Sequence, residues 1–199
     1  MIKKETYEKI KERYGYLSSW AVWKLPDSTP KSNTGDLTVF AEPEVLSVLN
    51  TNYVFVGLNV SNTHGNESVR DNNYWANFHS NYKYQNDYKL RYALMNTPFW
   101  GSYMTDIIKK YPEVDSNKVK AFLNQNPDVV KQNIEEFKLE MSILNWNEKP
   151  VLIAMGDMAY QILKKYLSDE FKIVKIMHYS NMIGEKEYRK SVLENLNEI

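Results

Sequence analysis

The stretch Tyr53-Val54-Phe55-Val56-Gly57-Leu58-Asn59 decides the fold. A strand with one face in water alternates apolar and polar residues. This run stays apolar until Asn59, which reads as a strand buried on both faces, as in parallel sheets covered by helices. Three later runs have the same character: Ser102–Ile108 (SYMTDII), Pro150–Gly156 (PVLIAMG) and Phe171–Met177 (FKIVKIM). Helical patterns fall between and after them. One covers Lys89 to Met95 and another 116–124. A long one over 127–146 places Val130, Ile134, Phe137, Met141 and Leu144 on one stripe. DMAYQILKKYL follows the third strand with Asp157 as its N-cap, and a last helix covers about 184–196. Strand–helix alternation implies βαβ crossovers. The expected architecture is therefore a three-layer α/β/α sandwich around a central, mainly parallel, four-stranded sheet.

Upstream, residues 4–17 form an amphipathic pattern with Tyr7, Ile10, Tyr14 and Leu17 on one face. Lys24 to Asp36 reads as loop, and a short helix is expected from Pro43, as its first residue, to about Asn50. Nothing divides the chain, so the expectation is one domain over 1–199, an N-terminal helical extension (1–50) on an α/β core (53–196).

Composition narrows the function classes. The 199 residues include no cysteine, which removes disulfides, thiolate metal sites, iron–sulfur clusters and a cysteine nucleophile. Lys and Arg number 25, matching 25 Asp and Glu. That neutrality argues against holding duplex DNA by charge alone. The basic residues Lys164, Lys165, Lys172, Lys175, Lys186, Arg189 and Lys190 crowd the last third, yet acids interleave them. They read either as a mixed solvated surface or as a local DNA track. No window approaches the ~18 apolar residues of a membrane span. The charged N-terminal segment has no apolar leader core. A cytoplasmic, monomeric protein without membrane contact is expected.

Ligands of open α/β sheets bind beyond the carboxyl ends of the strands. Those ends carry Gly57-Leu58-Asn59, Thr105-Asp106, Gly156-Asp157 and His178-Tyr179-Ser180-Asn181. An amide, a carboxylate and an imidazole at one edge suit hydrolysis or base binding. Each also has a plainer reading: Asn59 as a turn residue, Asp106 as a local cap, and His178 as a structural histidine. Trp75 and Phe78 end the long polar stretch after the first strand, as stacking faces or ordinary lining. His64, His79 and His178, with Asp106, form a loose set for a metal hydrolase, but without close ligand spacing. No cofactor is expected.

Gly57-Leu58-Asn59-Val60-Ser61 resembles the water-activating motif of the uracil-DNA glycosylase superfamily, closest to the Gly-Ile-Asn-Pro of its mismatch-specific branch. His178-Tyr179-Ser180-Asn181-Met182, about 120 residues on, resembles its His-Pro-Ser-x-Leu motif. TDIIK (105–109) and LIAMGDMAYQIL (152–163) resemble its second and third strands and the helix after the third. The resemblance covers roughly 53–196 and implies a DNA-repair hydrolase that excises a flipped base from DNA. Asn59 would orient water, and His178 would stabilise the leaving base. Gly57 and Leu58 shape the motif, Trp75 or Phe78 would stack on the base, and Ser61 and Ser180 would meet phosphates. Asn181 stands within the second motif, and Met182 would act as the wedge. The family's two prolines are replaced by Val60 and Tyr179. Asp106 takes the place of the base-reading asparagine, which suits an edge bearing an amino group. These departures leave a second expectation open: a member of the fold that binds a nucleotide, nucleic acid or protein without turnover.

Overall fold

The computed structural model describes residues 2–60, 73–80, 82, 84–109, 111, 113, 115–146, 148–197 and 199. Among them, five strands form one mixed sheet: β1 (Ser18–Trp20), β2 (Asn50–Asn59), β3 (Ser102–Ile108), β4 (Val151–Met155) and β5 (Ile173–Ile176). Their order is β1-β3-β2-β4-β5. The last four pair in parallel, while β1 runs antiparallel along the outer side of β3, Ser18 opposite Thr105. The sequence reading expected four strands; the fifth is the correction. At three residues, Ser-Ser-Trp is too short to carry a period, and its burial comes entirely from tertiary packing.

Among the described residues seven α-helices accompany the sheet: α1 (Lys4–Tyr14), α2 (Val45–Val48), α3 (Asp87–Leu94), α4 (Ser116–Gln125), α5 (Pro127–Ile143), α6 (Asp157–Leu167) and α7 (Glu185–Leu196). Residues alternate between two cores because successive side chains of a strand face opposite ways. Val54 and Val56 of β2 join Tyr7, Ile10, Phe137, Met141 and Leu163, from α1, α5 and α6. Phe55 joins Leu90, Leu94, Tyr188 and Val192, from α3 and α7. Helical layers therefore cover both faces of the sheet. α1 is part of the first core rather than an appendage to it. The helix expected from Pro43 shrinks to the single turn α2, preceded by a 3-10 turn over Leu37–Ala41. No helix among the described residues is long and apolar enough to cross a membrane.

Among the described residues, one buried polar cluster braces the end of β3 and another holds the 24–36 loop. Lys109, just past β3, pairs with Glu140 of α5 at 2.7 Å, both side chains shielded from solvent. Tyr103 and Thr105 hydroxyls donate to the same carboxylate, and Lys109 Nζ also donates to the Asp106 carbonyl at 2.9 Å. On the other face Arg91 of α3, also buried, donates to the carbonyls of Lys24, Pro30 and Ser32. The 24–36 loop is thus held by one guanidinium satisfied through backbone oxygens.

Candidate functional site

The carboxyl ends of the parallel strands open onto one cleft of about 570 Å³. Leu58 and Asn59 enter it from β2, Asp106 from β3, and Gly156 and Asp157 from beyond β4. The turn after β5 adds His178, Tyr179, Ser180 and Asn181. Asn77 and Phe78 close one side; Glu113, Ser116 and Lys120, on the approach to α4 and in it, close another. Residues from all four parallel strand ends thus meet at one cavity, although Gly57 and Thr105 are not in its lining.

Asn59 is anchored by its nitrogen. Nδ2 donates to the carbonyls of Glu113 (2.7 Å), Tyr111 (3.1 Å) and Val60 (3.3 Å). All three partners are pure acceptors, so the amide cannot be turned over without losing them. Its Oδ1 accepts no hydrogen bond from the described residues and is left for a donor in the cleft.

His178 is fixed in one tautomer. The Ser180 main-chain N–H donates to Nδ1 at 3.1 Å, and a main-chain N–H cannot accept, so Nδ1 carries no proton. The Ser180 hydroxyl, 2.8 Å from the same nitrogen, donates as well. The neutral ring therefore carries its proton on Nε2. Burial among the cleft walls pulls its pKa down to about 4, keeping it neutral near pH 7. Its ring stacks on Tyr179, centroids 4.3 Å apart. Gly156, against the His178 Cβ, sits at φ +95°, a left-handed conformation that glycine adopts at little cost.

Asp106 lies on the cleft floor, 3 % exposed, beside its register partner Gly57. A Cβ on Gly57 would come within 2.2 Å of the Asp106 Oδ1 and 3.6 Å of the Phe78 ring. The missing side chain is the space the carboxylate occupies. Asn77 donates from Nδ2 to Asp106 Oδ2 (2.9 Å) and to the Leu17 carbonyl (2.8 Å). Tyr179 brings its hydroxyl near both Asp106 and Asp87; burial first, then these charges, raise its pKa well above the usual range. Asp87, on α3, is itself buried, which lifts its pKa to about 6, and it accepts from the Ser80 N–H at 2.8 Å.

Other expected site residues stand apart from this group. Trp75 is buried in the core, its Nε1 donating to the Tyr7 hydroxyl at 2.8 Å, so Phe78 alone of the two aromatics faces the cleft. The tertiary reason is α1, whose Tyr7 fills the space Trp75 packs against. Asp157 is not the cap of α6: Gly156 holds that position without a side-chain bond, and Asp157 pairs with Lys175 at 2.8 Å. Met182 is fully exposed beyond the cleft lining. Ser61 and His64 lie outside the described residues. His79 is buried away from the cleft, Nε2 on the Val22 carbonyl and Nδ1 between the Asn77 carbonyl and the Ser19 hydroxyl. Among the described residues no three His, Asp or Glu side chains converge as metal ligands. Of the basic residues in the last third, Lys175 and Lys190 face Asp157 and Glu194, while Arg189 donates to the carbonyls of Tyr92, Ala93 and Met95.

Asn77, which lines the cleft, and Asp87, which meets Tyr179 behind it, were not singled out from the sequence. Asn77 lies between two aromatics in a polar stretch, and no spacing links it to Asp106. Tyr179 was noted at the end of the last strand and as the residue replacing a proline, without its two carboxylate neighbours. No protein-family model matches the chain, and neither a curated protein nor a solved structure matches it.

Proposed function

We propose that the chain is a base-excising hydrolase of the uracil-DNA glycosylase type, acting on a nucleotide flipped out of DNA. The observation that carries this reading is the pairing of two fixed polar atoms in one cleft: the acceptor Oδ1 of Asn59 and the donor Nε2–H of His178. Hydrolysis of an N-glycosidic bond is accelerated by both an oriented water and a donor to the leaving base. The Asn59 oxygen holds a water whose oxygen bonds to the anomeric carbon as the carbon–nitrogen bond breaks. The bonding pair leaves with the base, and the water's proton passes to solvent or to the departing base. An amide cannot take that proton, so Asn59 orients the water without acting as a base. Charge that builds on the base oxygen is met by the His178 donor, an arrangement worth roughly 10²- to 10³-fold in rate per donor. Phe78 supplies an apolar wall for the ring. The order and spacing of the two motifs, each leaving a parallel strand, also support the superfamily assignment.

Oligonucleotides carrying uracil, hypoxanthine, xanthine or a mismatched base test the reading. Base release by the wild-type chain is expected to fall about 10²-fold or more in Asn59→Ala and in His178→Ala. Absence of release from every substrate would remove it. A non-catalytic binding module is the second reading, favoured by Val60 and Tyr179 at the two proline positions and by the missing carboxylate at Asn59. Salt-dependent DNA binding without turnover is its signature.

A further inference from the structure

The cleft does not end at its outer wall. Lys120 of α4 and Met158 of α6 line it, and both also line a neighbouring groove of about 380 Å³ between α4, α6 and the start of α5. Residues four apart in a helix lie on one face. Lys120 and Asn124 therefore form one exposed rim along α4, and Gln161 and Lys165 another along α6, an ammonium and an amide on each. Met158, Ile162 and Tyr166 repeat at the same spacing on α6 and make a half-buried apolar strip beside them. The charge here is one-sided in a chain whose totals cancel. No carboxylate lines the groove, whereas the cavity beside the 24–36 loop holds Asp27 and Glu185, and the cavity beside α2 holds Glu42 and Glu44. Lys118, Lys131, Lys138 and Lys175 each meet an acid. Among the described residues Lys120 and Lys165 meet none; the Lys165 ammonium lies over the Tyr166 ring, 5.0 Å from its centroid.

We infer that this groove carries the nucleic-acid strand on one side of the nucleotide held in the cleft. Lys120 and Lys165 meet its phosphates, and the Met158-Ile162-Tyr166 strip takes its sugars and bases. Continuity argues for this occupant: a chain leaving the cleft past Lys120 enters the groove directly. Chemistry argues for it as well, since a polynucleotide alternates an anionic phosphate with a flat, largely apolar ring, and the groove sets cations beside an apolar strip. The inference rests on the base-excision reading for the nucleotide in the cleft but not for binding of the strand, so the two can fail separately.

The test is fluorescence anisotropy with the full chain and a fluorescein-labelled single-stranded DNA about 12 nucleotides long, titrated at several salt concentrations. Lys120→Gln and Lys165→Gln are exposed changes that keep helix propensity, so the fold is not at risk. Each is expected to weaken binding about two- to fivefold. Each should also lower the slope of log affinity against log salt by about 0.7, and the double variant by about 1.4. Lys190→Gln, on α7 across the sheet, makes the same change in net charge and should leave the slope unaltered. A wild-type chain that does not bind the DNA, slopes unchanged in both groove variants, or an equal loss in Lys190→Gln overturns the inference. So does an oligoglutamate of the same charge bound as tightly through the same lysines, which would make the groove a site for acidic peptides. Base release is measured on oligonucleotides carrying the altered bases. Release with unchanged slopes removes the groove and leaves base excision standing, while reduced slopes without release do the reverse.

Discussion

His178 shows how much a single neighbour can settle. Because the Ser180 N–H occupies Nδ1, the ring is committed to an Nε2 proton, and burial holds its pKa near 4. Nitrogen-detected NMR of the imidazole should therefore report a bare Nδ1 and a protonated Nε2 from about pH 8 down to about pH 5. An imidazolium appearing near pH 6.5 would contradict this geometry. Gly57 makes a second case. Gly57→Ala should destabilise the fold by about 1–3 kcal/mol through overpacking against Asp106. Asp106→Ala should recover most of that loss in the double variant, read by chemical denaturation. A loss unchanged in the double variant would mean that the clash lies elsewhere. At this scale Asn59, Asp106 and His178 were legible in advance, because strand ends of an open sheet are few and each carries a recognisable chemistry. Asn77 was not, because its role depends on Leu17 and Asp106 arriving from distant parts of the chain. Trp75 was left open between a stacking face and ordinary lining, because a large aromatic near a site is claimed by whichever neighbour packs against it, and here that neighbour is Tyr7.

At the scale of elements, the four parallel strands were legible because burial on both faces leaves long apolar runs. β1 escaped notice because three residues form no pattern. Helix ends shifted by a few residues where a turn or cap decided them, as at α1, which stops at Tyr14 rather than continuing to Leu17. The 24–36 segment keeps its loop character, yet it is a held loop. Its carbonyls at Lys24, Pro30 and Ser32 share the Arg91 guanidinium. Arg91→Ala should free this segment, costing about 2–4 kcal/mol and raising hydrogen exchange and proteolytic cutting between 24 and 33. Arg91→Lys should rescue little, since one ammonium cannot reproduce a planar fork reaching three oxygens. Protection unchanged in Arg91→Ala would show that the loop is held by something else.

For the whole molecule, the titrating groups set a pH profile. His79 and His178 both have pKa values near 4, held below the usual 6.5 by burial. Their contribution is fully present above about pH 6.5 and is lost as the pH falls toward 4, because only the unfolded chain takes up protons there. Asp87 acts oppositely: with its pKa raised to about 6, it favours the fold below the ordinary carboxylate range and loses that benefit as the pH rises through 6. Between pH 4 and 6 two histidines oppose one aspartate, so unfolding takes up about one net proton from these groups and stability rises with pH. Urea titrations across this range check the slope, and His79→Gln should flatten it. The placement of β1 has a further consequence, for the order of assembly. Gly15, Leu17 and Ser19 hold Trp75 and Asn77, so the cleft wall is laid on a strip of chain about 60 residues away from it in sequence. That strip docks only when Thr105 and its neighbours exist to receive it. Long-range closures of this kind come late in folding. The edge strip is thus late to take its seat, and until it does the pocket stands open to water on one side.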